Sequence, residues 1–332
     1  MKNYRLAVPI IAKYRENQSA EGFISELKRI GADCVWLCAS PDEIYGAAKR
    51  LALEKGVAVP ESDGYDAEII KYYAEYFREF SKPYREAGFR ILFWTCPTIG
   101  HGGTLTGESP HGYRPLVNQK GEAEIGCFCP LDERLKRDIA EAAAAVALCD
   151  VEAIMFDDDF RLNIHSLTKI GCFCDAHIAR FNRENGLNMT REELVRAALA
   201  PEANEIRKRW FKLSGESLYE FAECVEKRVH EVNPKVRIGI ATAMSLYNSE
   251  GVDVPELMRR FAGKRTKPIL RLIGAPYWAG ESATQIAYIV EYNKLQQQDQ
   301  MLANVQQMHE MRVVRERTKG DRMEDRLKEA RD

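Results

Sequence analysis

The chain has 332 residues, 45% of them hydrophobic and 30% charged, with a formal net charge of −2. This is a soluble globular balance with ample apolar mass for one large α/β core, and it argues against nucleic acid or an anionic membrane as the main partner. No apolar stretch approaches the ~18 residues a spanning helix needs, and residues 1–6 carry no signal-peptide h-region, so a cytoplasmic location is expected.

Short apolar runs alternate with helical patterns along the chain. Residues 4–11 read as a first strand. A helix at 20–30 follows, its apolar face spaced as Phe23, Leu27 and Ile30 and ending at Gly31. Residues 33–38 (Asp-Cys-Val-Trp-Leu-Cys) form a second strand, and a Pro41-led helix runs to about Lys55. A loop at 56–66 leads to a long helix, 67–87, stopped by Gly88, and 89–95 is a third strand. Residues 96–130 read as a 35-residue loop rich in Gly, Pro, His and Tyr, a length that points to function. A helix over 131–148 precedes strand four at 152–157. A second excursion, 160–234, carries helices near 175–185, 190–198 and 202–232. Strand five at 236–241, a helix capped by Asp253, strand six at 268–274 and a helix at 281–300 complete the series.

Six βα alternations fit either an open doubly wound sheet or a (β/α)-barrel. No Gly-x-Gly-x-x-Gly and no phosphate-binding loop is present, which favours an α/β TIM-barrel-like architecture over 1–300. Barrel chemistry sits at the C-terminal ends of strands. Here those ends carry Ile11, Cys38, Trp94 and Thr95, Asp157–Asp159, Thr242 and the segment 275–278.

Asp157, Asp158 and Asp159 follow strand four without a break. Neighbouring carboxylates raise each other's pKa, so one can stay protonated as a general acid beside an ionised partner, the arrangement glycoside hydrolysis uses. The bland alternative is a solvated turn with Arg161 neutralising part of the charge. A hard divalent ion on the three aspartates is a further possibility.

Nine cysteines, an odd number, argue against a disulfide framework. Four form two tight pairs, Cys127-Phe128-Cys129 and Cys172-Phe173-Cys174, the second followed by His177. Cys172, Cys174 and His177 can surround one ion from a loop and the first turn of a helix, with Cys129 as fourth ligand and Cys127 in reserve. A Cys3His shell suits structural zinc and leaves no open position for substrate. Plain packing, or a pairing such as Cys127 with Cys172, is the alternative.

The acidic strand end followed by Cys-x-Cys-x-x-ligand and then Phe181 resembles the family 42 β-galactosidases and related clan A glycoside hydrolases. In that family the strand-four motif reads Asp-Asn-Glu, the Glu being the acid/base, and four cysteines bind zinc, one of them in an upstream Cys-Pro. The corresponding stretches are Met155-Phe156-Asp157-Asp158-Asp159, the run from Gly171 to Phe181, and Cys129-Pro130. The resemblance makes Asp159 the expected acid/base, with Asp157 and Asp158 as electrostatic or hydroxyl-binding partners. Asp159 is one methylene shorter than the family's Glu, and His177 stands in place of the last cysteine. What is implied is a carbohydrate-active barrel rather than a β-galactosidase.

The clan places its nucleophile, a Glu, at the end of strand seven. Residues 301–332 contain no apolar run suited to a buried strand and read as a charged helix or disordered tail, and Glu281 begins a helix. The expectation is therefore an incomplete eight-stranded barrel of a truncated hydrolase, whose exposed edges favour a homo-oligomer. The alternative is a non-catalytic carbohydrate-binding or assembly protein. Trp94, and Tyr277 with Trp278, are candidate sugar-stacking residues, and His101 and Arg161 candidate polar contacts.

Overall fold

The computed structural model describes residues 6–10, 20–62, 64–100, 112–162, 169–242, 250–272 and 306–309. Strands β1 (Ala7–Ile10), β2 (Cys34–Cys38) and β3 (Arg90–Thr95) open the chain. A hairpin of β4 (Pro115–Val117) and β5 (Ala123–Phe128) follows, and then β6 (Ala153–Phe156), β7 (Arg237–Thr242), β8 (Ile269–Leu272) and β9 (Gln306–His309). All but the hairpin join one parallel seven-stranded sheet in the order β1-β2-β3-β6-β7-β8-β9. Strands thus neighbour one another in chain order, with helices between the first six, the TIM-barrel-like arrangement expected.

Two expectations are corrected. The 96–130 segment is not wholly loop, because its second half forms the β4–β5 hairpin. The 301–332 segment is not only helix or disorder, because β9 pairs with β8 and extends the sheet to a seventh strand. Gln-Gln-Met-His lacks the apolar signature of the other strands, and backbone pairing alone places it. The helix expected at 281–300 lies outside the described residues.

The helices follow their local signals. They are α1 (Ala20–Arg29), α2 (Pro41–Glu54), α3 (Tyr72–Glu86), α4 (Glu133–Ala147), α5 (Asp175–Asn185), α6 (Arg191–Ala198), α7 (Glu205–Val232) and α8 (Val254–Ala262). Ser40 and Glu43 form a capping box on α2 with Pro41 in its first turn. Helix α3 starts at Tyr72 rather than 67, because the Asp66 carboxylate takes the Glu68 and Ile69 amides and holds the preceding residues in a turn. Asp132 caps α4 through the Arg134 and Leu135 amides and also accepts from Arg114 N, tying the hairpin to this helix.

Strand alternation divides the sheet into two faces. Val35, Leu37, Ile91, Phe93, Ile154, Phe156, Ile238, Ile240 and Leu270 face the helices in one large core. Each full burial of such a side chain contributes ~1.5–3 kcal/mol. The opposite, concave face holds Cys34, Trp36, Leu92, Ala153, Met155, Ala241 and Ile269. At its N-terminal end Glu152 pairs with both Arg90 and Arg237, a cross-strand tie at the pole where barrels keep stability rather than chemistry. A small core of Phe173, Phe181, Leu194, Trp210 and Leu213 forms a separate helical lobe from α5, α6 and the start of α7.

A buried cavity between α2, α4 and the sheet is lined by Ile44, Phe93, Thr95, Ile139 and Phe156 among others. The Thr95 hydroxyl is buried and has no hydrogen-bond partner among the described residues. Thr95→Val keeps the shape and removes that penalty, so urea unfolding is expected to show a gain of up to ~1 kcal/mol. A clear loss would mean that the hydroxyl is satisfied.

Arg180 joins α5 to α7 through paired bonds to Glu220 at 2.8 and 2.7 Å. The hydrogen bond from Arg180 holds the Glu220 carboxyl below its ordinary value of 4.5. A carboxylate depressed in the folded state stabilises at pH above that value, and its contribution is lost as pH falls through the depressed one. Glu220 is 40% exposed, so solvent screening keeps the effect below about 1 kcal/mol. Glu220→Gln should therefore lower stability slightly at pH 7 and leave it unchanged near pH 2, as followed by urea unfolding at both values.

Candidate functional site

Strand β6 places the three aspartates in three different settings. Met155 faces the concave side, so two residues on Asp157 faces it as well, at 7% exposure. Asp158 turns to Arg161, whose Nη2 lies 3.5 Å from Asp158 Oδ2 and whose side chain is 1% exposed. Asp159 is fully buried. Its Oδ2 accepts from Thr98 N, from Thr98 Oγ1 at 3.1 Å and from Gly100 N at 2.9 Å. The expected acid/base carboxylate thus ties down the loop that follows β3.

Around Asp157 the concave face turns polar. Strand β3 brings Trp94 alongside Cys38 and Met155, and β8 brings Arg271 alongside Ala241. The Arg271 guanidinium stands 4.9 Å over the Trp94 ring and 3.9 Å from Asp157 Oδ1. The stacked guanidinium and indole form a cation–π pair worth ~0.5–2 kcal/mol, and they fix a flat aromatic surface and a cation beside a carboxylate. Trp94 Nε1 is buried without a hydrogen-bond partner among the described residues. The Cys96 thiol is pushed well above its ordinary range, first by burial and then by Asp159 and Asp157, the latter accepting its hydrogen bond. It is a protonated donor rather than a nucleophile.

Of the residues predicted from sequence, Trp94 and Asp157 come together here, and Arg161 lies behind them with Asp158. His101, Tyr277 and Trp278 lie outside the described residues. Arg271 escaped the sequence reading. Its signal is a lone charge inside Ile-Leu-Arg-Leu, where every neighbour in the strand is apolar.

The second constellation is the one expected. Cys129, Cys172, Cys174 and His177 are all buried, with their ligand atoms within 4.8 Å of one another. Cys129 Sγ lies 3.5 Å from Cys174 Sγ and 3.5 Å from His177 Nδ1, and Cys174 Sγ lies 3.3 Å from His177 Nδ1. A tetrahedral zinc with ~2.3 Å bonds to sulfur sets ligand edges of roughly 3.8 Å, so the group fits a metal ion after a small expansion. Cys174 is held far below the ordinary thiol range by hydrogen bonds from Cys129 and Cys172, with His177 adding to the effect against burial. Burial pushes Cys172 well above it. Cys127 is not a member, and all nine cysteines are free of disulfides. Among the described residues no other group of this kind is present, so the aspartate run forms no such cage.

Two elements bring the ligands together. Cys129 ends the hairpin, where its N–H donates to Arg114 O at 2.9 Å, and Phe173 N donates to Val117 O at 2.7 Å. Gly171 passes so close to Leu116 that a Cβ would collide with that side chain. His177 sits in the first turn of α5, three residues past Cys174, which is the helix N-cap. Arg191, at the start of α6, braces the loop by donating to Phe173 O at 2.9 Å.

The fold is similar to solved glycoside-hydrolase barrels. The catalytic domain of a β-amylase from Paenibacillus polymyxa superposes with a TM-score of 0.55 at 12% identity, over 93% of this chain and 86% of that one. The family 42 β-galactosidase Gan42B gives 0.52 at 12% identity, over 88% of this chain and 43% of that one. A β-galactosidase from Bacillus circulans sp. alkalophilus gives 0.52 at 11%, over 85% and 42%. The chain therefore spans about two-fifths of the length of these β-galactosidases. At such identities the likeness is one of fold. No protein-family model and no curated protein matches the sequence. No helix among the described residues is long and apolar enough to cross a membrane.

Proposed function

We propose that the C-terminal end of the sheet is a carbohydrate site of the glycoside-hydrolase type, working by carboxylate chemistry. The observation that carries this reading is the convergence of Asp157, Arg271 and Trp94 on the concave face at the strand ends, where barrel enzymes keep their chemistry. Trp94 offers a stacking face for a sugar ring, and Arg271 offers donors to its hydroxyls. In this proposal the acid/base role expected of Asp159 passes to Asp157, because a general acid must reach its substrate and Asp159 is fully buried under three donors. Asp158 and Asp159 then act as positioning residues.

We further propose that the sequence directly after β9 carries the second carboxylate. Glu310 follows β9 directly in the sequence, two residues past Met308, whose register partner is Arg271. The end of the seventh strand is the place where the resemblance to clan A puts the nucleophile, and we assign that role to Glu310.

The Cys3His cluster is proposed to hold zinc through Cys129, Cys172, Cys174 and His177. With all four positions taken by protein, the ion offers no open site and its contribution is structural.

A second reading, carbohydrate binding without turnover, is favoured by the shortness of Asp159 and by the anchoring duty it carries. Calorimetric titration with free sugars, run beside a hydrolysis assay on a panel of aryl glycosides, separates the two. Turnover of at least one glycoside supports the hydrolase reading. Binding without any turnover supports the second, and neither binding nor turnover would remove both.

A further inference from the structure

We infer that the Cys3His cluster, once closed on a metal ion, positions the acidic strand end through the backbone that links Cys129 to Asp159. The inference rests on the zinc reading above and extends it from a static clasp to control over the site.

The path is short and made of buried groups. Cys129 is a member of the cluster and Phe128 precedes it. Phe128 N donates to Ile99 O at 2.8 Å, and Ile99 is fully buried. The residues flanking Ile99 are the ones that Asp159 holds, through Thr98 N, Thr98 Oγ1 and Gly100 N. Gly100 has φ +119° and runs against the Gly126 carbonyl so tightly that any Cβ would overlap it, so the loop is seated directly on β5. Asp159 in turn lies two residues from Asp157, the carboxylate on the concave face. One hydrogen bond and one backbone seat therefore separate the cluster from the loop that Asp159 grips.

The cluster is well placed to fix β5. Cys172 and Cys174 belong to the far side of the clasp, and that side is anchored independently by the apolar lobe of Phe173, Phe181, Trp210 and Leu213. Cys129 belongs to the near side, at the end of the hairpin. An ion shared between them locks the hairpin end to a pre-built lobe. Without it the lobe keeps its own core, and the hairpin end is left with the backbone bonds from Phe173 N to Val117 O and from Cys129 N to Arg114 O. Loss of metal is therefore felt at 96–100 rather than across the whole fold. Cys129 and Phe128 are on this account positioning residues for Asp159 and, through it, for Asp157.

Amide hydrogen exchange of the full chain, read by mass spectrometry with zinc bound and after chelation, tests this without reference to activity. Peptides covering 96–100 and 126–129 are expected to exchange about tenfold faster without zinc, with β2 and α2 unchanged. His177→Cys, which keeps four soft ligands, should retain both zinc and slow exchange at 96–100, whereas His177→Ala should lose both. Gly100→Ala should keep zinc yet exchange fast at 96–100 in either state. Zinc bound with identical exchange at 96–100 in both states overturns the coupling and leaves the zinc reading standing. A uniform rise along the chain also overturns it. A protein that takes up no zinc overturns the zinc reading and the inference together.

Discussion

Cys174→Ser is expected to lower the melting temperature by about 5–10 °C and to reduce bound zinc from near one per chain to far less. Cys174 hydrogen-bonds with Cys129, Cys172 and His177, and those hydrogen bonds hold its thiol far below the ordinary range. Serine replaces a soft sulfur by a hard, weakly acidic oxygen, and the remaining three ligands bind zinc less tightly. Metal affinity in such a site is folding free energy, so part of it is lost as stability. A cost of about 2.5 kcal/mol at 2–4 °C per kcal/mol gives a shift of the stated size. The lobe core and the main sheet remain, so the variant still folds. An unchanged melting temperature in a protein free of zinc would show that the four residues are only packed together. Differential scanning calorimetry with elemental analysis reads both quantities.

The second large effect is expected at Asp159. Alanine there removes one acceptor oxygen from three donors, leaving the Thr98 and Gly100 amides and the Thr98 hydroxyl in a closed interior. Each such orphaned group costs ~1–3 kcal/mol, and the groups share one acceptor, so a combined loss of about 4 kcal/mol is expected in urea unfolding. Asp157→Asn should cost less than half as much. Its partner Arg271 stands at 3.9 Å, beyond hydrogen-bond range, and retains the Trp94 ring. The two aspartates thus separate into an anchor and the carboxylate proposed as acid/base. Equal stability losses at both positions would abolish that distinction.

How much of this was legible in the sequence depends on whether a feature is local. The first six sheet strands are readable because apolar residues line both faces, Val, Ile, Leu and Phe toward the helices and Cys, Trp, Met and Ala on the concave side. The Cys3His cluster is readable because three of its members fall within six residues, where spacing dictates geometry. Strand β9 was not readable, since Gln306, Gln307 and His309 give no apolar run and only the ladder to β8 reveals it.

The mouth was readable only in part. Trp94 and Asp157 stood at strand ends, but Arg271 reaches them through pairing across β3, β6, β7 and β8, which no short-range pattern encodes. The burial of Asp159 was invisible for a related reason. Three consecutive acids say nothing about which one a distant loop will cover, and that loop, at Thr98 and Gly100, lies some sixty residues upstream.

The proposed carboxylate site is tested most directly by kcat/KM for a turned-over aryl glycoside, measured for the unaltered chain and for Asp157→Asn and Glu310→Gln. Removing a positioned acid/base group costs about 10²–10⁴ in rate; a loss of that order is predicted for Asp157→Asn and one at least as large for the nucleophile variant Glu310→Gln, with both melting temperatures close to that of the parent. If both variants hydrolyse the glycoside at the parent rate, the carboxylate site proposed at the mouth of this barrel is contradicted.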